Sequence, residues 1–169
     1  MALVTEDGTG RADAESLATV DAFKARCTAL GVVHDLSDLQ IERNLRKATE
    51  YMARYRDRWS GDRKTATQAT DFPRYNMPIR DTAITQHYAN DTVPLPVRNA
   101  CIDLAWKASS TDLDADQTRA VKRSKVGPIE TEYEAGSPQS RRFPAIETML
   151  SPYFKRGALS TFSVPLVRG

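Results

Sequence analysis

The sequence contains few of the residues from which catalytic and metal sites are built. It has two cysteines, Cys27 and Cys101, and two histidines, His34 and His87, among 169 residues. It lacks a Gly-x-Ser-x-Gly elbow, and its Cys and His spacings are not the short paired ones of structural zinc sites. The glycines of EDGTG at residues 6–10 lack the Gly-Lys-Ser/Thr of a phosphate loop. We therefore expect no enzyme activity, no metal and no cofactor, and we interpret both thiols as buried core residues.

Long apolar runs and a strong charge imbalance are also missing. No segment approaches the roughly 18–20 apolar residues of a membrane span. The opening MALVTEDGTGRADAES lacks the basic-then-apolar order of a signal peptide, so we expect no membrane partner. The net charge is +2, whereas dedicated nucleic-acid-binding proteins usually carry a larger basic excess. Any contact with DNA therefore requires a local basic face.

Apolar periodicity predicts a mainly α protein, a small helical bundle. The strongest signal is SDLQIERNLRKATEYMARYRDRW, in which Ser37 and Gln40 form a capping-box pattern. Apolar residues then recur at steps of three or four and predict one long amphipathic helix that Gly61 ends. These residues are Ile41, Leu45, Ala48, Met52, Tyr55 and Trp59.

Three further helices are predicted from their start and stop signals. Thr19 caps a first helix that Gly31 ends, Pro94 and Pro96 open a third, and Pro144 opens a short last one. The predicted helical core thus covers about 19–110 and 144–157. Residues 60–93 inside it lack periodicity, and a loop of this length is often functional. The residues before Thr19 predict an extended N-terminal arm or a short strand, which could pair with something else.

The stretch KRSKVGPIETEYEAG predicts a projecting β-hairpin at about 120–135. Basic residues precede Gly127-Pro128 and acidic residues follow it, which fits two strands joined by a turn there. The implied cross-strand pairs are Lys125 with Glu130, Arg123 with Glu132, Val126 with Ile129, and Lys122 with Tyr133. A lone hairpin is marginally stable in water, so we expect another surface to cover it.

The final segment, ALSTFSVPLVRG at residues 158–169, is apolar without a helical period. It carries Pro165 and predicts an extended C-terminal arm that docks on another surface. Its candidate contact residues are Phe162, Val164, Leu166, Val167 and Arg168.

A basic stripe lies opposite the apolar stripe of the long helix. Arg43, Lys47, Arg54 and Arg58 share it, interrupted by Glu50, and residues 41–64 hold eight Lys/Arg against four Asp/Glu. Phosphates fit such a face, but a solvated or subunit-contact face has the same pattern. Tyr51 is the candidate ring for base stacking, since Tyr55 and Trp59 fall on the core stripe. The candidate DNA-facing residues are Arg43, Lys47, Arg54 and Arg58.

Nearly the whole chain resembles a family of tailed-phage and prophage proteins. The resemblance rests on the opening sixteen residues, YMARYRDRWSG, FPR, the hairpin and RFPAIETMLSPYF, and most specifically on SKVGPIETEY followed by RFPAI. Members are often labelled DnaT-like single-stranded DNA-binding protein, and their size is similar to that of head–tail connectors, also called adaptor or head-completion proteins. The region 75–93 is longer here than in the family pattern.

The resemblance implies a single connector domain over residues 1–169, located in the virion neck and made in the host cytoplasm. Such a subunit forms a ring, of twelve copies beneath the portal, and its partners are the portal protein, a tail or stopper/nozzle protein and the DNA that passes through. The hairpin would then offer Val126, Ile129 and Tyr133 as interface residues, beside the C-terminal arm. The alternative is a single-stranded DNA-binding protein of DnaT-like type, and a small enzyme ranks last.

Overall fold

Four α-helices form the core of the protein. The computed structural model describes residues 2–80, 82–115 and 142–156, and the backbone of two strands at 121–125 and 130–133. The helices are α1 (Val20–Ala29), α2 (Asp38–Met52), α3 (Leu95–Ala108) and α4 (Pro144–Leu150). Helices α2 and α3 make the most extensive contact, α4 packs on α3, and α1 contacts both α2 and α3. The described residues contain short two-stranded ladders but no closed barrel.

The start and the buried face of α2 confirm the prediction. The Ser37 amide donates to Oε1 of Gln40 at 2.8 Å and the Gln40 amide donates to the Ser37 hydroxyl, so the capping box is present. Leu45 and Met52 are 0% and 2% exposed. Both side chains therefore lie in the centre of the apolar core, as the stripe predicts.

The predicted single helix to Trp59 is wrong in its last part. Helix α2 ends at Met52, and the chain continues as a 3₁₀-helix from Ala53 to Arg58. Tyr55 and Trp59 are nevertheless buried. The centre of the Trp59 ring lies 5.0 Å from the ring centres of Phe72 and Phe154, which belong to other segments of the chain. We attribute the change from α-helix to 3₁₀-helix to this packing. The periodicity of apolar residues along the chain carries no information about such contacts.

The other helices begin where the sequence predicts. The Thr19 hydroxyl accepts a hydrogen bond from the Ala22 amide at 3.1 Å, Pro94 precedes α3, and Pro144 is the first residue of α4. Cys27 and Cys101 are both buried free thiols, as expected. Burial raises the pKa of each thiol, so neither has the ionised character of a reactive cysteine.

The prediction of an extended N-terminal arm is wrong. The amides of Glu15 and Ser16 donate to the Val4 carbonyl, so the segment folds back on itself, and Leu17 is buried in the core. Backbone groups of a folded-back segment need partners, and the Glu6 carboxylate supplies them to the amides of Gly8, Gly10 and Arg11 at 2.9–3.0 Å. Residues 2–18 therefore belong to the core domain.

The described residues of 60–93 contain no helix, as predicted, and those at 68–77 are mostly buried. Strands β1 (Asp62–Arg63) and β2 (Arg74–Tyr75) pair antiparallel, as do β3 (Pro78–Ile79) and β4 (Gln86–His87). Phe72 and Met77 are buried in the apolar core. The loop is therefore a packed part of the domain.

Arg74 lies at the centre of this loop and is only 6% exposed. Its guanidinium donates to the carbonyls of Ser60 at 2.9 Å, Asp71 at 3.0 Å and Gly61 at 2.7 Å. The buried side-chain amide of Gln68 donates through Nε2 to the backbone carbonyls of Thr70 and Pro73. These side chains satisfy backbone carbonyls that a helix or a wide sheet would satisfy internally.

The hairpin strands are β5 (Val121–Lys125) and β6 (Glu130–Tyr133). Lys125 pairs with Glu130 and Arg123 with Glu132, as predicted. The predicted partner of Tyr133 is wrong, because Val121 and not Lys122 is opposite it. A register irregularity between Val121 and Arg123 shifts the pairing by one residue, as a β-bulge does. The predicted turn, the Val126–Ile129 pair and the C-terminal arm at 158–169 lie outside the described residues.

Candidate nucleic-acid interface

Two of the four predicted basic residues are available to a ligand. Arg43 and Lys47 are exposed, one turn apart on the side of α2 opposite the buried Leu45. Neither side chain has an ion pair or hydrogen bond with the described part of the chain. Both cations are therefore free to contact an anion.

Arg54 and Arg58 are engaged within the domain. Nη2 of Arg54 lies 2.6 Å from Oδ1 of Asp114, and its guanidinium stacks 4.8 Å from the centre of the Tyr51 ring. The Arg58 guanidinium lies 4.2 Å from the centre of the Phe154 ring, and its buried Nε has no partner within the described residues. The predicted stripe therefore divides into a free pair and a pair that packs on aromatic rings.

Other charges limit the basic face. Glu50 is exposed on the same stripe. Arg46 forms ion pairs with Glu15 at 2.9 Å and with Glu42 at 3.6 Å, and Arg56 pairs with Asp71 at 2.7 Å. The positive potential outside α2 consequently comes mainly from Arg43 and Lys47.

The suggestion that Tyr51 stacks on bases is wrong. Its side chain is 2% exposed and packs edge-on against Tyr55 and Phe143. Tyr55 is buried as well, and burial raises the pKa of its hydroxyl well above the ordinary value. Among the described aromatic residues Tyr75 is the exposed one, at 39%. The described surface thus offers little area for base stacking.

A second basic group was missed by sequence reasoning. The 3₁₀-helix meets the segment after α4, where the Lys155 amide donates to the Arg58 carbonyl at 2.7 Å. Nη2 of Arg80 donates to the Phe154 carbonyl at 2.7 Å, and Arg156 follows. Arg80, Lys155 and Arg156 come from two segments that are distant in the sequence, so no signal in the sequence unites them with one another or with Arg58.

The remaining candidate residues receive no test from the structure. Seven of the candidate interface residues lie outside the described residues: Phe162, Val164, Leu166, Val167, Arg168, Val126 and Ile129. Of Tyr133 only the backbone is described. Across the described ranges no group of three or more metal-ligating side chains is assembled. No helix there is both long and apolar enough to span a bilayer.

Comparison with known sequences identifies the family. All of residues 1–169 match the family described as "Putative DnaT-like ssDNA binding protein", and the chain belongs to this family. Searches of the curated proteins and of the solved structures gave no match. The family description agrees with the single-stranded DNA-binding alternative and does not mention a phage connector.

Proposed function

We propose that this protein binds single-stranded DNA through its backbone phosphates, with Arg43 and Lys47 as the central contacts. The supporting observation is that these two cations are exposed and unpaired on one face of α2, while the neighbouring cations are held by carboxylates or rings. Phosphate contacts position a protein on DNA without reading its sequence. The description of the family supports the same role.

Binding of this kind is weak and depends strongly on salt. Each phosphate neutralised on a single strand contributes about −0.7 to the slope of log K against log salt concentration. With Tyr51 and Tyr55 buried, stacking adds little affinity. We expect no sequence preference and no catalysis.

The experiment is fluorescence anisotropy with a labelled twenty-nucleotide oligothymidine over a series of salt concentrations. Arg43→Ala and Lys47→Ala should each reduce the magnitude of the salt slope by about 0.7. Arg98→Ala removes an exposed arginine from α3 and is the matched control. Equal slopes for Lys47→Ala and Arg98→Ala would contradict a phosphate site on α2.

A second candidate function is a head–tail connector of a tailed phage. It is favoured by the β5–β6 hairpin, whose strands contact each other extensively but make no comparable contact with a described helix. A hairpin of this size is marginal alone and becomes stable when another surface covers it. In this setting the chain forms a ring between portal and tail in the virion neck, and Arg43 and Lys47 face the passing DNA.

Assembly assays separate the two functions. Ile129→Ser with Tyr133→Ser, and separately deletion of residues 158–169, should leave the melting temperature of the monomer nearly unchanged and abolish incorporation onto portal-bearing heads, as seen by negative-stain microscopy. A large fall in the melting temperature of the monomer would contradict the interface role. Normal incorporation of both variants, together with salt-dependent oligothymidine binding that Arg43→Ala and Lys47→Ala weaken, would instead favour the first function.

A further inference from the structure

A cleft lies between the β3–β4 hairpin and the segment that follows α4. Its volume is about 420 Å³. The described residues that line it are two cations, two threonines and several apolar side chains, chiefly Arg80, Arg156, Thr82, Thr85, Ile79 and Ile84. It is separate in the sequence from Arg43 and Lys47, and none of its residues was selected by the sequence pattern.

Tertiary hydrogen bonds hold one of the cations in place. Nη2 of Arg80 donates to the Phe154 carbonyl at 2.7 Å and to the Ser60 hydroxyl at 3.2 Å. Its Nε is buried without a hydrogen-bond partner among the described residues, and the hydrogen bonds of the guanidinium to described residues all use Nη2. The guanidinium is therefore anchored at Nη2, and Nη1 is left to donate to an anion in the cleft.

The second cation is exposed and unengaged. Arg156 has no ion pair within the described ranges, although it lines the same cleft as Arg80. The exposed Thr85 hydroxyl adds a further donor. Two guanidinium groups and a hydroxyl form a donor set suited to phosphate, since planar guanidinium groups bind phosphate oxygens through paired hydrogen bonds.

We propose that this cleft binds a phosphate group of a nucleic-acid strand, with Arg80 and Arg156 as the charged contacts and Thr85 as the hydroxyl donor. Ile84, which is 67% exposed, lines the cleft and supplies an apolar surface for the adjoining sugar. The inference rests on the proposed DNA-binding function and deepens it. It places a second phosphate contact beside the end of the 3₁₀-helix, where Lys155 also lies.

The anisotropy experiment with oligothymidine tests the cleft through Arg156→Ala and Thr85→Val. Arg80 is not substituted, because its bonds to Phe154 and Ser60 also support the fold. Arg156→Ala should reduce the magnitude of the salt slope by about 0.7 and weaken binding about threefold or more at low salt. Thr85→Val should weaken binding less and leave the slope unchanged, since it removes no charge. Arg98→Ala should match the wild type in both quantities.

A second measurement separates this inference from the proposed function. Inorganic pyrophosphate is titrated into the isotope-labelled wild type and into Arg156→Ala, and the amide signals of Thr85 and Arg156 are followed by NMR. Saturable shifts of these signals in the wild type, with Thr85 unmoved in Arg156→Ala, support an anion site in the cleft.

The outcomes are distinguishable. If oligothymidine binds and Lys47→Ala weakens it, while Arg156→Ala behaves as Arg98→Ala and pyrophosphate shifts nothing in the cleft, the cleft proposal is overturned and the proposed function stands. If pyrophosphate binds the cleft but the wild type does not bind oligothymidine, the nucleic-acid assignment of the cleft and the proposed function both fall. If Arg156→Ala weakens oligothymidine binding and also abolishes the pyrophosphate-induced shift of Thr85, the cleft proposal is supported, whichever result Lys47→Ala gives.

Discussion

Helix α2 and the loop at residues 60–80 both bury side chains in the core, but by opposite chemical means. The buried face of α2 is mostly apolar, with Ile41 and Leu45 fully covered. The loop also buries Phe72, but beside it lie the polar side chains of Gln68 and Arg74, each almost inaccessible to solvent. Both regions contact the same core around Trp59.

Backbone hydrogen bonding explains this difference. A helix pairs its own amides and carbonyls, so its buried side chains are free to be apolar. The loop has two-residue strands that leave most of its backbone groups without partners, and buried carbonyls without partners are costly. Arg74 and Gln68 supply donors to five carbonyls in this region. Burial of polar side chains here is therefore a structural requirement of an aperiodic segment.

The largest expected effect tests the apolar side of the comparison. Leu45→Ala removes a fully buried side chain from α2 and should lower the free energy of unfolding by about 2–5 kcal/mol, because a cavity remains. Lys47 lies two residues further along α2, on its exposed face, and Lys47→Ala should lower the free energy of unfolding by under about 0.5 kcal/mol. Urea unfolding of both variants measures the difference, and equal losses would contradict the assignment of the stripe.

A smaller effect tests the polar side. Arg74→Met keeps a long side chain but leaves the carbonyls of Ser60, Gly61 and Asp71 without their donor. The expected loss is about 1.5–3 kcal/mol, with faster amide exchange at residues 60–75 than in α2. If Arg74→Met were as stable as the wild type, apolar packing alone would hold the loop and the comparison would fail.

Two glycines with the same backbone angle sharpen the comparison further. Gly61 and Gly31 both have φ of +67°, but a Cβ on Gly61 would lie 2.2 Å from the Tyr75 carbonyl oxygen, whereas one on Gly31 would meet nothing within 4 Å. Gly31→Ala should therefore cost about 1 kcal/mol and Gly61→Ala more, within about 1–3 kcal/mol. Thermal unfolding of the two variants measures the two costs. A larger cost at Gly61 indicates that the loop closely approaches the end of the 3₁₀-helix. Equal costs would indicate that the loop shifts easily.

The smallest effect concerns a half-buried polar contact at the N-terminal segment. A hydrogen bond from Arg46 and one from the Val4 amide lower the pKa of Glu15. A carboxyl whose pKa is lowered by folding adds stability above its unfolded pKa, near 4.3, and this stability is lost as pH falls through the folded pKa. Glu15→Gln should be slightly less stable than the wild type at pH 7, and the difference should shrink as pH falls through the lowered folded pKa of Glu15. A difference that persists in acid would exclude this ion pair as its cause.

The sequence by itself determined the helices and their buried faces. The capping box at Ser37, the prolines before α3 and α4, and the period of Leu45 and Met52 are local signals, and each lies where its pattern predicts. The same stripe identified Arg43 and Lys47 as exposed cations, because the side of a helix opposite its buried face meets solvent. Charge sorting around Gly127-Pro128 also predicted the two strands and two of the four cross-strand pairs, Lys125 with Glu130 and Arg123 with Glu132.

Tertiary structure alone decided the rest. It turned the end of the long helix into a 3₁₀-helix around Trp59, folded the N-terminal segment onto the core, and buried Tyr51. It also brought Arg80 and Arg156 to one cleft from positions 76 residues apart. These features depend on contacts between segments that are distant in the chain. Periodicity and capping report only the interactions among near neighbours, so they carry no information about which loop meets which helix.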